Sequence, residues 1–190
     1  MKSKGEEQKG RIVEAANDLF YRRGVGRTSF ADIAEASGIQ KGNFYFYFKT
    51  KEELLLAVLQ RRHDFFARLL SEWETALAEP KDRLHRMVDI PLRDRDDVIR
   101  YGCPLGSISA ELGKSLPVSK SQTQPQATFR LILDWMEKQF TALGRKEDAA
   151  FLSRRLLSHM QGASLLGHAF EDDVWIIEET EDLHHFIDTL

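Results

Sequence analysis

Apolar residues recur at intervals of three and four along nearly the whole chain, the repeat of an amphipathic helix rather than of a strand. Ile12, Ala15, Ala16, Leu19 and Phe20 mark the first such face, and Gly24 closes it, predicting a helix over about residues 8–23. Two short apolar patterns follow, Phe30/Ile33/Ala34 and Phe44/Tyr47/Phe48, each enough for one face of a short helix. The second helix opens at Thr28-Ser29, where Ser29 and Asp32 fit a capping box, and the third covers roughly residues 40–46. Only Ser37, Gly38 and Ile39 lie between them, with a glycine free to take a left-handed backbone angle. Two short helices crossing through a tight glycine turn make a helix-turn-helix, for which the first helix supplies the missing wall of a core.

A second capping-box pattern, Thr50 to Glu53, starts a long fourth helix that runs to Pro80. Its stripe is Leu55, Val58, Leu59, Phe65, Phe66, Leu69, Trp73 and Leu77. Beyond it, Leu84, Met87 and Val88 mark a helix that meets Pro91, and the charged run Arg93-Asp94-Arg95-Asp96-Asp97 reads as exposed. A short helix carries Leu105, Ile108 and Leu112, and residues 115–126, rich in Ser, Gln and Lys with two prolines, read as a loop. Phe129 to Phe140, Phe151 to Leu165 and Val174 to Leu190 give three more helices, with Gly162, Ala163 and Gly167 as small residues for close packing. The expected fold is all-α, about nine helices, with a helix-turn-helix head over residues 1–50 and a larger helical body over 51–190 joined by the fourth helix.

Composition narrows the class. The 190 residues are 30% charged and 42% hydrophobic, ordinary for a globular chain large enough for a substantial core. The longest apolar run, residues 54–59, is too short to span a membrane, and the opening MKSKGEEQKG lacks the apolar core of a signal peptide. A single cysteine excludes an internal disulfide and suits a reducing compartment, so a cytoplasmic location is expected. The net charge of -3 hides an asymmetry: residues 1–62 carry 12 Lys/Arg against 8 Asp/Glu, the remainder 15 against 22. A basic head on an acidic body suits a phosphate-binding module attached to a regulatory one.

The third helix carries chemistry for reading DNA. Gln40 and Asn43 each offer an amide pair to adenine, Lys41 donates to guanine or phosphate, and Gly42 leaves room for close approach to the sugar-phosphate backbone. Lys51, in the first turn of the fourth helix, opposes the helix dipole and gains by meeting a phosphate.

Read in order, Thr28-Ser29, Ile33-Ala34, Gly38, Lys41-Gly42, the aromatic run from Phe44 to Phe48, and Lys51-Glu52 resemble the helix-turn-helix of the TetR family of bacterial transcriptional repressors. The likeness extends upstream through Ile12, Ala15, Ala16, Leu19, Phe20 and Gly24, and so covers about the first sixty residues. It implies DNA contacts from Thr28 (a cap that also touches DNA), from the phenols of Tyr45 and Tyr47, and from Lys51. Tyr47 stands where the family often has His, and Gln40 where it often has a small hydroxyl residue. Those departures bear on the base contacts rather than on the docking mode.

The resemblance also implies a dimer, since one recognition helix reads only a few base pairs and a two-fold pair reads a palindrome. The last two helices carry more apolar positions than one buried face needs (Leu156, Leu157, Leu165, Leu166, Trp175, Ile176, Ile177), and in the family such helices pair across the axis. The body's Phe66, Met87, Tyr101, Cys103, Trp135 and Met160 suggest a pocket for a small effector, as in the family. Pro104 suits a first helical position, which puts Cys103 at a cap facing the positive end of the dipole. Its Gly-Cys-X-X-Gly setting resembles a TetR subgroup containing electrophile- and oxidant-sensing repressors. The alternatives are therefore a thiol sensor of the same fold through Cys103, or a helical interaction module without DNA binding. An enzyme with Cys103 as nucleophile finds no phosphate loop, nucleophile elbow or base partner in the sequence. The six histidines show no trusted metal-ligand spacing, and no metal or other cofactor is expected.

Overall fold

The structure, a computed structural model, describes the backbone of residues 3–115 and 120–190, with side chains except those of residues 41, 113–115 and 120–124. The described residues form eleven helices and no strand. In order these are α1 Lys4–Arg23, α2 Phe30–Ser37, α3 Lys41–Tyr47, α4 Lys51–Ala76, α5 Pro80–Val88, α6 Ile90–Arg93, α7 Arg95–Tyr101, α8 Pro104–Ser115, α9 Lys120–Ala142, α10 Ala149–Phe170 and α11 Val174–Asp188.

The all-helical class is as expected, and the differences have local causes. Helix α1 starts at Lys4 because Ser3 and Glu6 form a capping box: the Ser3 hydroxyl accepts from the Glu6 amide at 3.2 Å and the Glu6 carboxylate from the Ser3 amide at 2.7 Å. The charged run after Pro91 is exposed but helical, which adds α6 and α7 to the nine helices counted from periodicity. Of the loop expected over residues 115–126, residues 120–126 belong instead to α9, with Pro125 inside the helix, and residues 116–119 lie outside the described residues. Pro125 sits in the second turn, so it costs one intrahelical bond without ending the helix.

Contacts divide the chain into two compact units, residues 1–65 with 107–126, and 66–106 with 127–190. The first takes in residues 51–65 and 107–126 beyond the 1–50 boundary read from the sequence. Its core is Ile12, Ala16, Leu19, Phe20, Ile33, Phe44, Phe48, Leu54, Leu55, Val58 and Leu59, joined by Ile108 and Leu112 of α8. Gly38 ends α2 in the left-handed region (φ 65°, ψ 25°), its amide donating back to Ala34 and Glu35. The other side of the turn is held by Arg11, whose Nη2 donates to the Ser37 carbonyl at 2.7 Å.

Helix α8 closes this unit from far along the chain. The Glu111 carboxylate accepts from the Val25 amide at 2.8 Å and the Gly26 amide at 2.5 Å, pinning the turn that precedes α2. These are donors that the α1–α2 turn leaves without helical partners, and a charged acceptor satisfies both.

The second unit is built on Leu70, Leu84, Met87, Val88, Leu105, Ile132, Trp135, Met136, Phe140, Leu152, Leu156, Met160, Leu183 and Ile187. Gly167 of α10 lets α11 approach, since a Cβ there would stand 3.2 Å from Ile176 Cγ1; Gly162 has no atom within 4 Å of such a position and serves no close packing. Helix α5 is tied to α11 by two stacked imidazoles, His85 and His184, with their Nδ1 atoms 2.5 Å apart and ring centroids at 4.7 Å. His85 Nε2 lies 3.1 Å from Asp188, and His184 Nε2 2.7 Å from Asp89.

Candidate nucleic-acid interface

Helix α3 buries Phe44 and Phe48 completely enough to leave the rest of its surface to solvent (0% and 3% exposed). What it presents is Gln40, Gly42, Asn43, Tyr45 and Phe46, all exposed. Gln40 is the N-cap residue but makes no side-chain cap bond, so its amide is not committed to the helix. The backbone of Lys41 opens α3, and its side chain lies outside the described residues. Tyr45 is braced edge-on by Phe30 (5.7 Å between centroids, 73°) and by Phe44, with 44% of the residue exposed. Lys49 Nζ donates to the Tyr45 carbonyl at 2.6 Å, a cation on the C-terminal turn of α3 where the dipole favours it.

Two residues named from the sequence stand differently. Thr28 is buried, 1% exposed, and its hydroxyl donates to the Gly24 carbonyl at 2.8 Å. The cap of α2 is Ser29, as its capping-box spacing to Asp32 predicts, and its Oγ accepts from the Asp32 amide at 3.2 Å. Thr28 therefore anchors the α1–α2 turn in the core and offers no exposed hydroxyl. Nor is the N-terminus of α2 open to a phosphate through that cap: the Asp32 carboxylate accepts from both the Ser29 amide and hydroxyl, and these bonds hold it below its ordinary 3.8. Tyr47 is half-buried, and its phenol donates to Gln8 Oε1 at 2.6 Å, a bond between α3 and α1 within the head. Thirty-nine residues separate that pair, and nothing local in the sequence marks it.

Lys51 is half-buried at the start of α4 and lines a small pocket with Val25, Gly26, Glu52, Leu55, Glu111 and Leu112. The half-formed capping box there has Thr50 Oγ1 accepting from the Glu53 amide at 3.1 Å, while the Glu53 carboxylate turns to the Lys49 amide at 2.8 Å.

Phe46 was missed. It is 79% exposed, more than any other large apolar side chain described, and stands T-shaped against Tyr47 at 5.3 Å. The signal was present: 44, 47 and 48 share the buried face, which leaves 46 on the opposite one. An aromatic there has no reason in the head's own packing and suits apolar contact with thymine methyl groups.

In the second unit, Met87, Trp135 and Met160 are buried in one cluster, with Phe66 and Cys103 packed against it. Tyr101 is half-buried at the end of α7 under the Arg100 guanidinium, 5.4 Å from its ring centroid. Cys103 is a free, half-buried thiol directly before Pro104 of α8. Helices α10 and α11 leave apolar surface bare: Phe151 (59%), Leu165 (64%), Phe170 (63%) and Trp175 (40%), the last two stacked at 5.4 Å. Leu156 and Ile176, named with them from the sequence, are instead core of their own chain. Among the described residues no group of three or more His, Cys, Asp or Glu side chains is placed to hold a metal, and no helix is long and apolar enough to cross a membrane.

A helix-turn-helix whose reading helix is polar and aromatic outward, followed by a separate helical unit, is the plan of a DNA-binding regulator. Residues 12–58 match the family model described as bacterial regulatory proteins, tetR family. The chain is 44% identical over 63 residues to the HTH-type transcriptional regulator TtgR of Pseudomonas putida, a third of this chain and 30% of that one. It is 34% identical over 103 residues to the HTH-type transcriptional repressor Rv3405c of Mycobacterium tuberculosis, 54% of this chain and 52% of the other. The matched part thus spans a third to a half of these relatives' length. Over its whole length the chain superposes on a TetR transcriptional regulator from Legionella pneumophila with a TM-score of 0.82 at 27% identity, covering 100% of this chain and 97% of that one. Residues 12–58 are thus similar to the tetR family of bacterial regulatory proteins, and the chain as a whole has the fold of a TetR transcriptional regulator.

Proposed function

We propose that the chain is a sequence-specific transcriptional regulator, a repressor that binds a palindromic operator as a homodimer and is released by a small effector. The observation that carries this is the face of α3. Gln40, Asn43, Tyr45 and Phe46 all point away from a core that the same helix completes with Phe44, so the outward set is free for base edges and phosphates. Lys41 and Lys51 supply phosphate contacts on a head with four more cations than anions. The bare apolar side chains of α10 and α11 fit the two-fold pairing that a palindrome demands, because such a stripe is disfavoured on a monomer. The second unit's Met- and Trp-lined cluster supports the effector role.

Selection of bound duplexes from a random library at fixed salt tests the reading. An enriched palindrome with half-sites about one helical turn apart is the expected result. Weak, salt-sensitive binding with no enrichment would leave only a helical interaction module. Affinity and salt slope that stay unchanged in Lys41→Ala and Lys51→Ala would remove the proposed docking mode.

A further inference from the structure

Trp135 of α9 is 5% exposed, and its indole Nε1–H is the one buried side-chain nitrogen or oxygen without a hydrogen-bond partner among the described residues. Its surroundings explain why. The Trp73 ring lies 6.0 Å away at 57°, and the same cluster holds Phe66, Met87, Met136 and Met160, none of which offers a good acceptor. The polar side chain one turn along, Gln139, is already committed: its Nε2 donates to the Trp135 carbonyl at 3.2 Å, and its Oε1 accepts from Arg83 at 3.0 Å. A tryptophan that only filled space would reach a carbonyl or the solvent with its N–H, and a phenylalanine would fill the site without desolvating a donor.

We infer that the effector of the second unit is a neutral, largely aromatic or apolar molecule bearing one hydrogen-bond acceptor, a carbonyl, ether or nitro oxygen or a ring nitrogen, and that Trp135 Nε1–H donates to it. This rests on the reading of the second unit as the effector-binding part. Neutrality follows from the donor: an indole N–H carries no charge to balance a carboxylate, whereas a single neutral acceptor matches the single unpaired donor. Trp73 and Phe66, both half-buried on α4, bring the cluster to the surface.

The test is calorimetric titration of the full-length protein with matched probe pairs that differ only in the acceptor: acetophenone and cumene, 2-acetylnaphthalene and 2-isopropylnaphthalene, benzophenone and diphenylmethane. Water-transfer differences cancel when the ketone-to-hydrocarbon affinity ratio is compared between wild type and Trp135→Phe. That ratio is expected to fall by about tenfold in Trp135→Phe, the loss of one hydrogen bond, and to stay unchanged in Trp73→Phe. A ratio equal in wild type and Trp135→Phe, with the probes still binding, overturns the donor role and leaves the effector reading standing. Failure of every probe to bind the wild type overturns both. A measurement independent of any variant is the Trp135 indole proton in the nitrogen-correlated spectrum. Ketones should move it downfield and their hydrocarbon partners should not, and equal shifts from both would overturn the inference even if Trp135→Phe did not fold.

Discussion

Gly42 and Gly38 lie four residues apart, yet a methyl group added at each should move stability in opposite directions. At Gly42, the second residue of α3, a Cβ would meet no atom within 4 Å and the backbone is already helical. Gly42→Ala should therefore gain helix propensity, at most about 0.5–1 kcal/mol, and raise the melting temperature by about 1–4 °C. At Gly38 the left-handed angle costs an L-residue about 1–2 kcal/mol, and the new Cβ would stand 3.0 Å from Arg11 Nη2, the atom that holds the Ser37 carbonyl. With that charged hydrogen bond disturbed, Gly38→Ala should lose about 2–4 kcal/mol. Both variants should bind operator poorly, for different reasons. Gly38→Ala misplaces α3, whereas Gly42→Ala keeps the fold and puts a methyl between α3 and the DNA backbone. At about 1–3 kcal/mol for such overpacking, its affinity should drop roughly 5- to 150-fold. Thermal unfolding and fluorescence anisotropy on the selected operator, at one salt concentration, read the two effects separately. A Gly42→Ala protein that melts as expected and binds DNA like wild type refutes the close approach of α3, and one that melts lower refutes the helix argument.

Further outcomes follow from other contacts. Glu111→Ala strands two amides of the α1–α2 turn; with Gly26 open to water the loss should be about 1–2 kcal/mol, lowering the melting temperature by about 2–8 °C, and a change under 0.5 kcal/mol would show the carboxylate to be dispensable. Phe46→Ala should leave stability within about 0.5 kcal/mol because the ring is exposed, while weakening operator binding about 5- to 30-fold with an unchanged salt slope. Lys51→Ala should do the reverse for the slope, reducing it by about one. Asp32 has a folded-state value held below 3.8, so its cap contributes in full above that range and is lost as the pH falls through the lowered value. Unfolding measured from pH 5 downward should lose stability more steeply in wild type than in Asp32→Asn, and parallel curves would remove the cap from the account.

Periodicity made the head legible because it reports which face of a helix is buried, and Phe44, Phe48, Ile33 and Ile12 are buried as their spacing says. It does not report what that face meets. The Tyr47–Gln8 bond and the burial of Thr28 both depend on where α1 lies against α3 and α2, and the phenol and hydroxyl carry no sign of it in the sequence. Thr28 and Ser29 are adjacent hydroxyl residues, and Asp32 three places on marks Ser29 as the cap, but nothing in the sequence marks the fold of Thr28 over the Gly24 carbonyl. Charge density misled elsewhere: the run from Arg93 to Asp97 is as solvated as it looked, but solvated residues still form helices when the next turn buries Val98. Pro125 drew the reading towards a loop, although a proline early in a helix removes little. The pairing of His85 with His184 joins residues 99 apart and had no local mark at all.

The closing of the head by Glu111, Ile108 and Leu112 sets an order on the chain's birth. A ribosome releases sequence from the N-terminus at about 5–20 residues per second. Residues 1–65 emerge first with the turn amides of Val25 and Gly26 held only by water and one wall of the apolar core uncovered. Residues 66–106, all belonging to the other unit, must follow before α8 supplies the missing pieces. The nascent head cannot close before residues 66–106 of the body have been made, and a chain released before residue 112 carries the recognition helix on an unfinished support.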